Sequence, residues 1–229
     1  MTGLVLLHGW GYGSHVWQAW TKAFTDQFTD RPVVLLDAGY FGPERLDLPA
    51  SVLETADGWI GVGHSLGFAR LLGMAVPWRG LIGFGAFLRF CVKPGRETGT
   101  PPEILDAMLA RLDVAPAEVL RRFTKRCGQP APDFISPGIA SPDDTGLSRL
   151  RRDLRLLQDL DAPTPKTVPP VLLLHAKDDR IAPQALAEET RDALPGARLE
   201  TFATGGHALP FTRSEDCLPP ALEFINGLR

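Results

Sequence analysis

Cysteine is scarce in this chain of 229 residues. Cys91, Cys127 and Cys217 are odd in number and lack metal-ligand spacing. That argues against a disulfide framework or a thiolate metal site and fits reduced thiols. No apolar run approaches the roughly 18 residues of a membrane span. The opening Met1-Thr2-Gly3 has no basic region of a secretory signal, and Leu4 to Leu7 is already needed as a core strand. Together these absences point to a cytoplasmic protein without a membrane partner. No glycine-rich phosphate loop, internal repeat or low-complexity tract is present. Basic excess is missing too. The 24 Lys and Arg face 27 Asp and Glu, for a net charge of −3, which argues against a nucleic-acid partner. With 44% hydrophobic residues, the chain can bury one α/β core plus an insertion.

What is present centres on Gly63-His64-Ser65-Leu66-Gly67. The pentapeptide follows an apolar run and precedes a helical pattern, the order strand, G-x-S-x-G, helix of a nucleophile elbow. A serine hydroxyl needs to stand clear of the backbone beside a base before it attacks. Upstream, Leu4-Val5-Leu6-Leu7 runs into His8-Gly9-Trp10-Gly11. Such a turn supplies one N–H of an oxyanion hole, here Trp10, and the residue after the nucleophile, Leu66, supplies the other. Downstream, a strand-like run from Val171 to Leu174 leads to Asp178-Asp179-Arg180-Ile181-Ala182-Pro183. A carboxylate there can orient a histidine. Two aspartates compete. Asp179 heads a D-x-x-x-P pattern and is the expected acid, while Asp178 caps the loop or points to solvent. Finally, Gly205-Gly206-His207-Ala208 places one histidine after the acid. His8, His15, His64 and His175 are read as structural. The chain order Ser65, Asp179, His207 is that of one hydrolase class.

Six short apolar segments, at 3–7, 32–36, 59–63, 81–85, 171–175 and 198–202, alternate with helical patterns. This predicts an α/β fold with a mostly parallel sheet flanked by helices. Between 89 and 169 the strand rhythm stops. Helical patterns occupy 102–112, 116–127 and 146–160, separated by joints containing Pro130, Pro132, Pro137 and Pro142. In the last of them Leu147, Leu150, Leu154 and Leu157 form an apolar stripe. The expected organisation is a core of 1–88 and 170–229 with a helical cap at 89–169, placed to shield the reaction from water.

These residues carry a resemblance. The chain resembles the α/β-hydrolases over nearly its whole length. Within them it is similar to the pimeloyl-acyl-carrier-protein methyl ester esterases of biotin synthesis. The similarity lies in Leu6 to Gly11, Gly63 to Gly67, Gly205 to Phe211, Pro116 to Gly128 and Asp153 to Asp161. It departs from them in three places. His64 stands where those esterases carry tryptophan, Phe68 replaces a second glycine, and the stretch 37–58 has room for only one small helix. The resemblance implies a serine esterase with Ser65 as nucleophile, His207 as base and Asp179 as acid, needing no metal or organic cofactor. It also implies an acyl site lined from Trp10, Phe87, Phe90 and Phe123.

Charge adds a partner. Residues 89–166 hold 13 Lys and Arg against 11 Asp and Glu, while the remainder holds 11 against 16. Arg121, Arg122, Lys125 and Arg126 share one helix; Arg149, Arg151, Arg152 and Arg155 share another. Such a face suits an acidic acyl carrier protein, and a plain solvated surface is the competing reading. The expected substrate is a small acyl ester, with pimeloyl-acyl-carrier-protein methyl ester the specific expectation. A general short-chain carboxylesterase or thioesterase is the alternative enzyme. A ligand-binding protein on the same fold is the alternative outside catalysis.

Overall fold

The computed structural model describes residues 2–128, 141–164 and 167–228. Pro130, Pro132 and Pro137 lie outside the described residues. Six strands form one sheet, all pairs parallel, in the order β2-β1-β3-β4-β5-β6. They are β1 (Thr2–Leu7), β2 (Val33–Leu36), β3 (Gly58–His64), β4 (Trp78–Phe84), β5 (Val171–Ala176) and β6 (Arg198–Phe202). Each expected strand is present. β4 starts earlier than its apolar pattern because Trp78 and Gly80 pair with Trp59 and Ile60 despite the intervening Arg79.

Side chains alternate across the sheet, as strand geometry requires. Leu4, Leu6, Ile60, Val62, Ile82, Phe84, Leu172 and Leu174 point to one face. There they meet Trp20 and Phe24 of α1 (Gln18–Gln27) and Phe224 and Ile225 of α9 (Ser214–Gly227). Val5, Leu7, Leu81, Val171 and Leu173 point to the other face, against Phe68, Leu71 and Leu72 of α3 (Leu66–Gly73). On that face too, Val52 and Leu53 of α2 (Ala50–Leu53), the single small helix in the 37–58 stretch, pack against the sheet, and α7 (Gln184–Ala193) follows β5 in the chain.

Among the described residues between β4 and β5 stand three helices, α4 (Pro102–Leu112), α5 (Pro116–Cys127) and α6 (Asp144–Asp159). α6 begins two residues before its apolar pattern because Asp143 caps it, accepting from Gly146 N at 2.7 Å. The insertion has its own apolar centre. Leu105, Leu112, Leu120, Leu150, Leu154 and Leu157 gather there with Trp10, Leu66 and Phe87 of the core. A leucine buried like Leu150 contributes about 2–5 kcal/mol against alanine. Polar ties add direction. Fully buried Asp153 of α6 accepts from Tyr40 Oη at 2.5 Å, from Arg70 of α3 at 2.6 Å and from Arg152 Nε at 2.9 Å. One carboxylate thereby joins the insertion, the loop after β2 and the helix that follows Ser65. A short helix, α8 (Leu209–Thr212), completes the chain before α9.

Candidate active site

Ser65 sits between the end of β3 and the start of α3 with φ 55° and ψ −125°. It is the only non-glycine with positive φ among the described residues. Such a conformation costs about 1–3 kcal/mol and persists only when its surroundings enforce it. Here the surroundings are close. A Cβ on Gly63 would lie 2.6 Å from Phe68 N, and one on Gly67 would lie 2.6 Å from the His8 oxygen. Both glycines of the motif are thus demanded by contact between strand and helix. Ser65 N donates to Phe84 O at 2.8 Å, which fixes the turn against β4.

His207 lies in the loop between β6 and α8 and is buried. Its Nδ1 is 2.7 Å from Asp179 Oδ2. A carboxylate only accepts, so Nδ1 carries the proton and Nε2 is left as the basic atom. Nε2 is buried without a hydrogen-bond partner among the described residues. Asp179 Oδ1 accepts from Ile181 N at 2.8 Å and Ala182 N at 2.9 Å. Burial alone would raise the Asp179 carboxyl. Attraction and hydrogen bonding from His207, with help from His175 and Ala182 N, hold it below its ordinary value. Asp178 is exposed, and its Oδ1 accepts from Gly206 N at 2.8 Å. Of the two competing aspartates, Asp179 meets the histidine and Asp178 caps the loop.

The turn after β1 is held from below. His8 Nε2 lies 3.1 Å from Ala38 N and 3.3 Å from Asp37 Oδ1, and His8 Nδ1 lies 2.8 Å from the Gly9 carbonyl oxygen. Neither Trp10 N nor Leu66 N donates to another described residue. Both are available to a developing oxyanion. The Trp10 indole donates to Leu150 O of α6 at 2.9 Å and meets Phe123 edge-on at 4.9 Å.

A cavity of about 750 Å³ opens from Ser65 into the insertion. Trp10, Phe90, Phe123, Met108, Leu154 and Leu157 give it an apolar wall, and Arg111, Arg122, Arg126 and Arg180 add cations to the lining. A buried nucleophile lining such a pocket, with a base, an orienting acid and two free N–H donors, can perform acyl transfer.

The family model described as "Alpha/beta hydrolase family" matches residues 4–218. The chain belongs to the alpha/beta hydrolase family. A pimeloyl-[acyl-carrier protein] methyl ester esterase of Aromatoleum aromaticum is 31% identical over 98% of each chain. One of Vibrio parahaemolyticus is 26% identical over 93% of this chain and 89% of its own. Among solved structures, an esterase of Exiguobacterium antarcticum superposes with a TM-score of 0.84 at 18% identity, covering 99% of this chain and 92% of that one.

In this hydrolase the expected site residues divide. Trp10, Phe90, Phe123 and Arg122 line the cavity with Ser65. Phe87 does not; it is fully buried behind Phe90, ring centroids 4.9 Å apart. Arg121, Arg149, Arg152 and Arg155 do not line it either. Arg149 donates to Gly39 O at 2.9 Å and Gly42 O at 3.0 Å, and Arg152 donates to Glu44 at 2.7 Å. Those two arginines hold the loop after β2, and Arg121, Arg152 and Arg155 are exposed.

Some site residues escaped the sequence. Gly85 has φ 53°, and a Cβ there would press on the His207 ring at 3.0 Å. Its absence makes room for the His207–Asp179 pair. His64 was assigned a structural role, yet its Nε2 lies 2.8 Å from the His207 carbonyl oxygen. His175 Nε2 donates to Ala182 O at 3.0 Å and lies 3.8 Å from Asp179 Oδ2. Burial holds both His64 and His175 below the ordinary value of 6.5, so both are neutral. Only their places, at the ends of two core strands, hint at these contacts.

Proposed function

We propose that the protein is a serine hydrolase of carboxylic esters whose specific substrate is pimeloyl-acyl-carrier-protein methyl ester. Ser65 Oγ attacks the ester carbonyl while His207 Nε2 takes its proton. Asp179 holds the imidazole in the basic tautomer and stabilises its cation. Trp10 N and Leu66 N receive the oxyanion. His207 then returns the proton to the leaving methoxide, and methanol departs. Water, deprotonated by the same nitrogen, hydrolyses the acyl-enzyme and frees Ser65. The observation that carries this chemistry is the buried Asp179–His207 pair behind a strained serine elbow.

Residues 89–169 act as a cap on a core of 1–88 and 170–229. Their helices supply the apolar wall for the acyl chain. The named substrate is supported by the relatives that carry that name over nearly the full chain. Exposed Arg121, Lys125 and Arg155 on the cap suit an acidic carrier protein.

The test is hydrolysis of the carrier-bound methyl ester by purified protein, beside free dimethyl pimelate and a p-nitrophenyl acetate control. Ser65→Ala should abolish turnover and labelling by a fluorophosphonate. Higher kcat/KM on the carrier-bound ester supports the full proposal. Equal kcat/KM on all three overturns the specific substrate in favour of a general carboxylesterase. Undiminished turnover by Ser65→Ala overturns the chemistry itself.

A further inference from the structure

His64 is bonded directly to Ser65 and ends β3, a strand buried along its whole length. Its ring is fully buried. Nε2 faces the main-chain oxygen of His207 at 2.8 Å, so Nε2 carries the proton and donates. No other described group donates to that oxygen. The two imidazoles are 4.8 Å apart between centroids. Tyr12 and Phe211 meet the His64 ring edge-on at 5.4 Å and 5.1 Å, which leaves it little freedom to turn. His64 Nδ1 has no hydrogen-bond partner among the described residues. Burial, then repulsion from His207, keeps the ring neutral, so it adds a donor beside the base without adding a charge.

The loop that carries His207 opens on two glycines. Gly205 and Gly206 precede it in succession with φ 143° and 63°, conformations open to glycine and permissive of others. The loop is anchored on both sides of His207: Gly206 N donates to Asp178 at 2.8 Å, Gly205 O accepts from Thr212 Oγ1 at 2.8 Å, Gly206 O accepts from Leu209 N at 3.3 Å, and Ala208 N donates to Cys127 O at 2.9 Å. At His207 itself, the side chain is held by Asp179 and the main chain by His64.

We propose that His64 is a positioning residue: its Nε2–H bond to the His207 carbonyl ties the base loop to the nucleophile elbow and sets the spacing between Ser65 and the His207 ring. This rests on the Ser65–His207 chemistry proposed above. His64 is absent from the cavity lining, so its loss acts on turnover and not on substrate binding. A displacement of about 1 Å between reacting groups can cost on the order of 10²-fold in rate.

Two variants separate the donor from the ring. His64→Phe fills the space without an N–H. His64→Gln has a smaller side chain whose amide can donate to the same oxygen. His64→Met serves as the donor-free variant if His64→Phe does not fold, as judged by circular dichroism and thermal melts. With a p-nitrophenyl ester, the donor-free variant should lose about 10- to 100-fold in kcat with KM changed less than about 2-fold. Fluorophosphonate labelling should slow by a similar factor. His64→Gln should recover to within about 5-fold of the parent. A donor-free variant with parental kcat overturns the proposal. So does a glutamine variant as slow as the donor-free one, which would assign the effect to ring packing. Ser65→Ala and His207→Ala run alongside. If either keeps full turnover, the triad fails and the role of His64 fails with it. If both are inactive while the donor-free variant is normal, the role of His64 alone is refuted.

Discussion

Replacing Asp179 by asparagine changes one atom and should remove the base without disturbing the fold. Asp179 uses both oxygens: Oδ1 accepts from Ile181 N and Ala182 N, and Oδ2 faces His207 Nδ1. Asparagine has one oxygen. Two main-chain N–H groups claim it, so the amide nitrogen must face His207. That nitrogen donates to Nδ1, which gives up its proton, and the proton moves to Nε2. His207 then has no lone pair left for the Ser65 proton. In serine proteases the same change costs about 10⁴ in kcat, which corresponds to about 5.4 kcal/mol of barrier. Asp178→Asn is the internal control. Its single bond, from Gly206 N, can be accepted equally by an amide oxygen. Its effect should stay within about 3-fold. The assay is kcat on a p-nitrophenyl ester for both variants, with thermal melts to show that each is folded. Asp179→Asn with more than about 1% of parental kcat, or Asp178→Asn as the slower enzyme, would refute the reasoning.

Asp153→Ala leaves Arg70, largely buried, without its carboxylate and should cost about 3–5 kcal/mol by urea denaturation. The paired change Arg70→Leu with Asp153→Leu should recover most of this, and a loss below about 1 kcal/mol for Asp153→Ala would remove the tie from the stability account. Stability should fall between pH 7.5 and 5.5. His64 and His175 are held below 6.5 when folded, so the unfolded chain takes up more protons in that window and is favoured as pH drops. Each contributes at most about 1.4 kcal/mol across those two pH units, and a flat urea midpoint over the range would contradict the buried neutral state. Reversing Arg121, Lys125 and Arg155 to Glu should raise KM for a carrier-bound ester, more at low salt, while leaving a small ester unchanged. Equal loss on both substrates would point to a damaged cap instead.

Much of this molecule was legible before its structure. Strand cores were visible because residues such as Leu4 to Leu7 and Val171 to Leu174 are apolar on both faces. α4 and α5 were delimited by Pro102 and Pro116, which suit a first turn. Other features depend on distant partners. Nothing local shows that β1 lies between β2 and β3, because order in a sheet comes from crossover packing. α9 was not foreseen because Pro219 and Pro220 interrupt a helical stripe that burial of Cys217, Ala221, Phe224 and Ile225 sustains. In the site, Ser65, Asp179 and His207 could be found by motif and order. The partition of the arginines could not. Arg149 and Arg152 look like their neighbours in sequence, and only the fold shows that they bond to the loop at 39–44.

The hydrogen bond from the Trp10 indole to Leu150 has a mechanical consequence. The same residue carries, on its main chain, one of the two proposed oxyanion donors. Any shift of α6 therefore drags on the turn proposed to receive the developing charge. This flank of the roof behaves as frame, bolted to the floor through Asp153 as well. α4 is held in the apolar centre by Leu105 and Leu112, and its ties of Gln158 to Asp106, Arg151 to Asp113 and Arg111 to Glu118 are side-chain pairs with an exposed member. Such pairs are individually weak. A substitution that shifts α6 should therefore be felt at the proposed Trp10 donor, through one buried hydrogen bond.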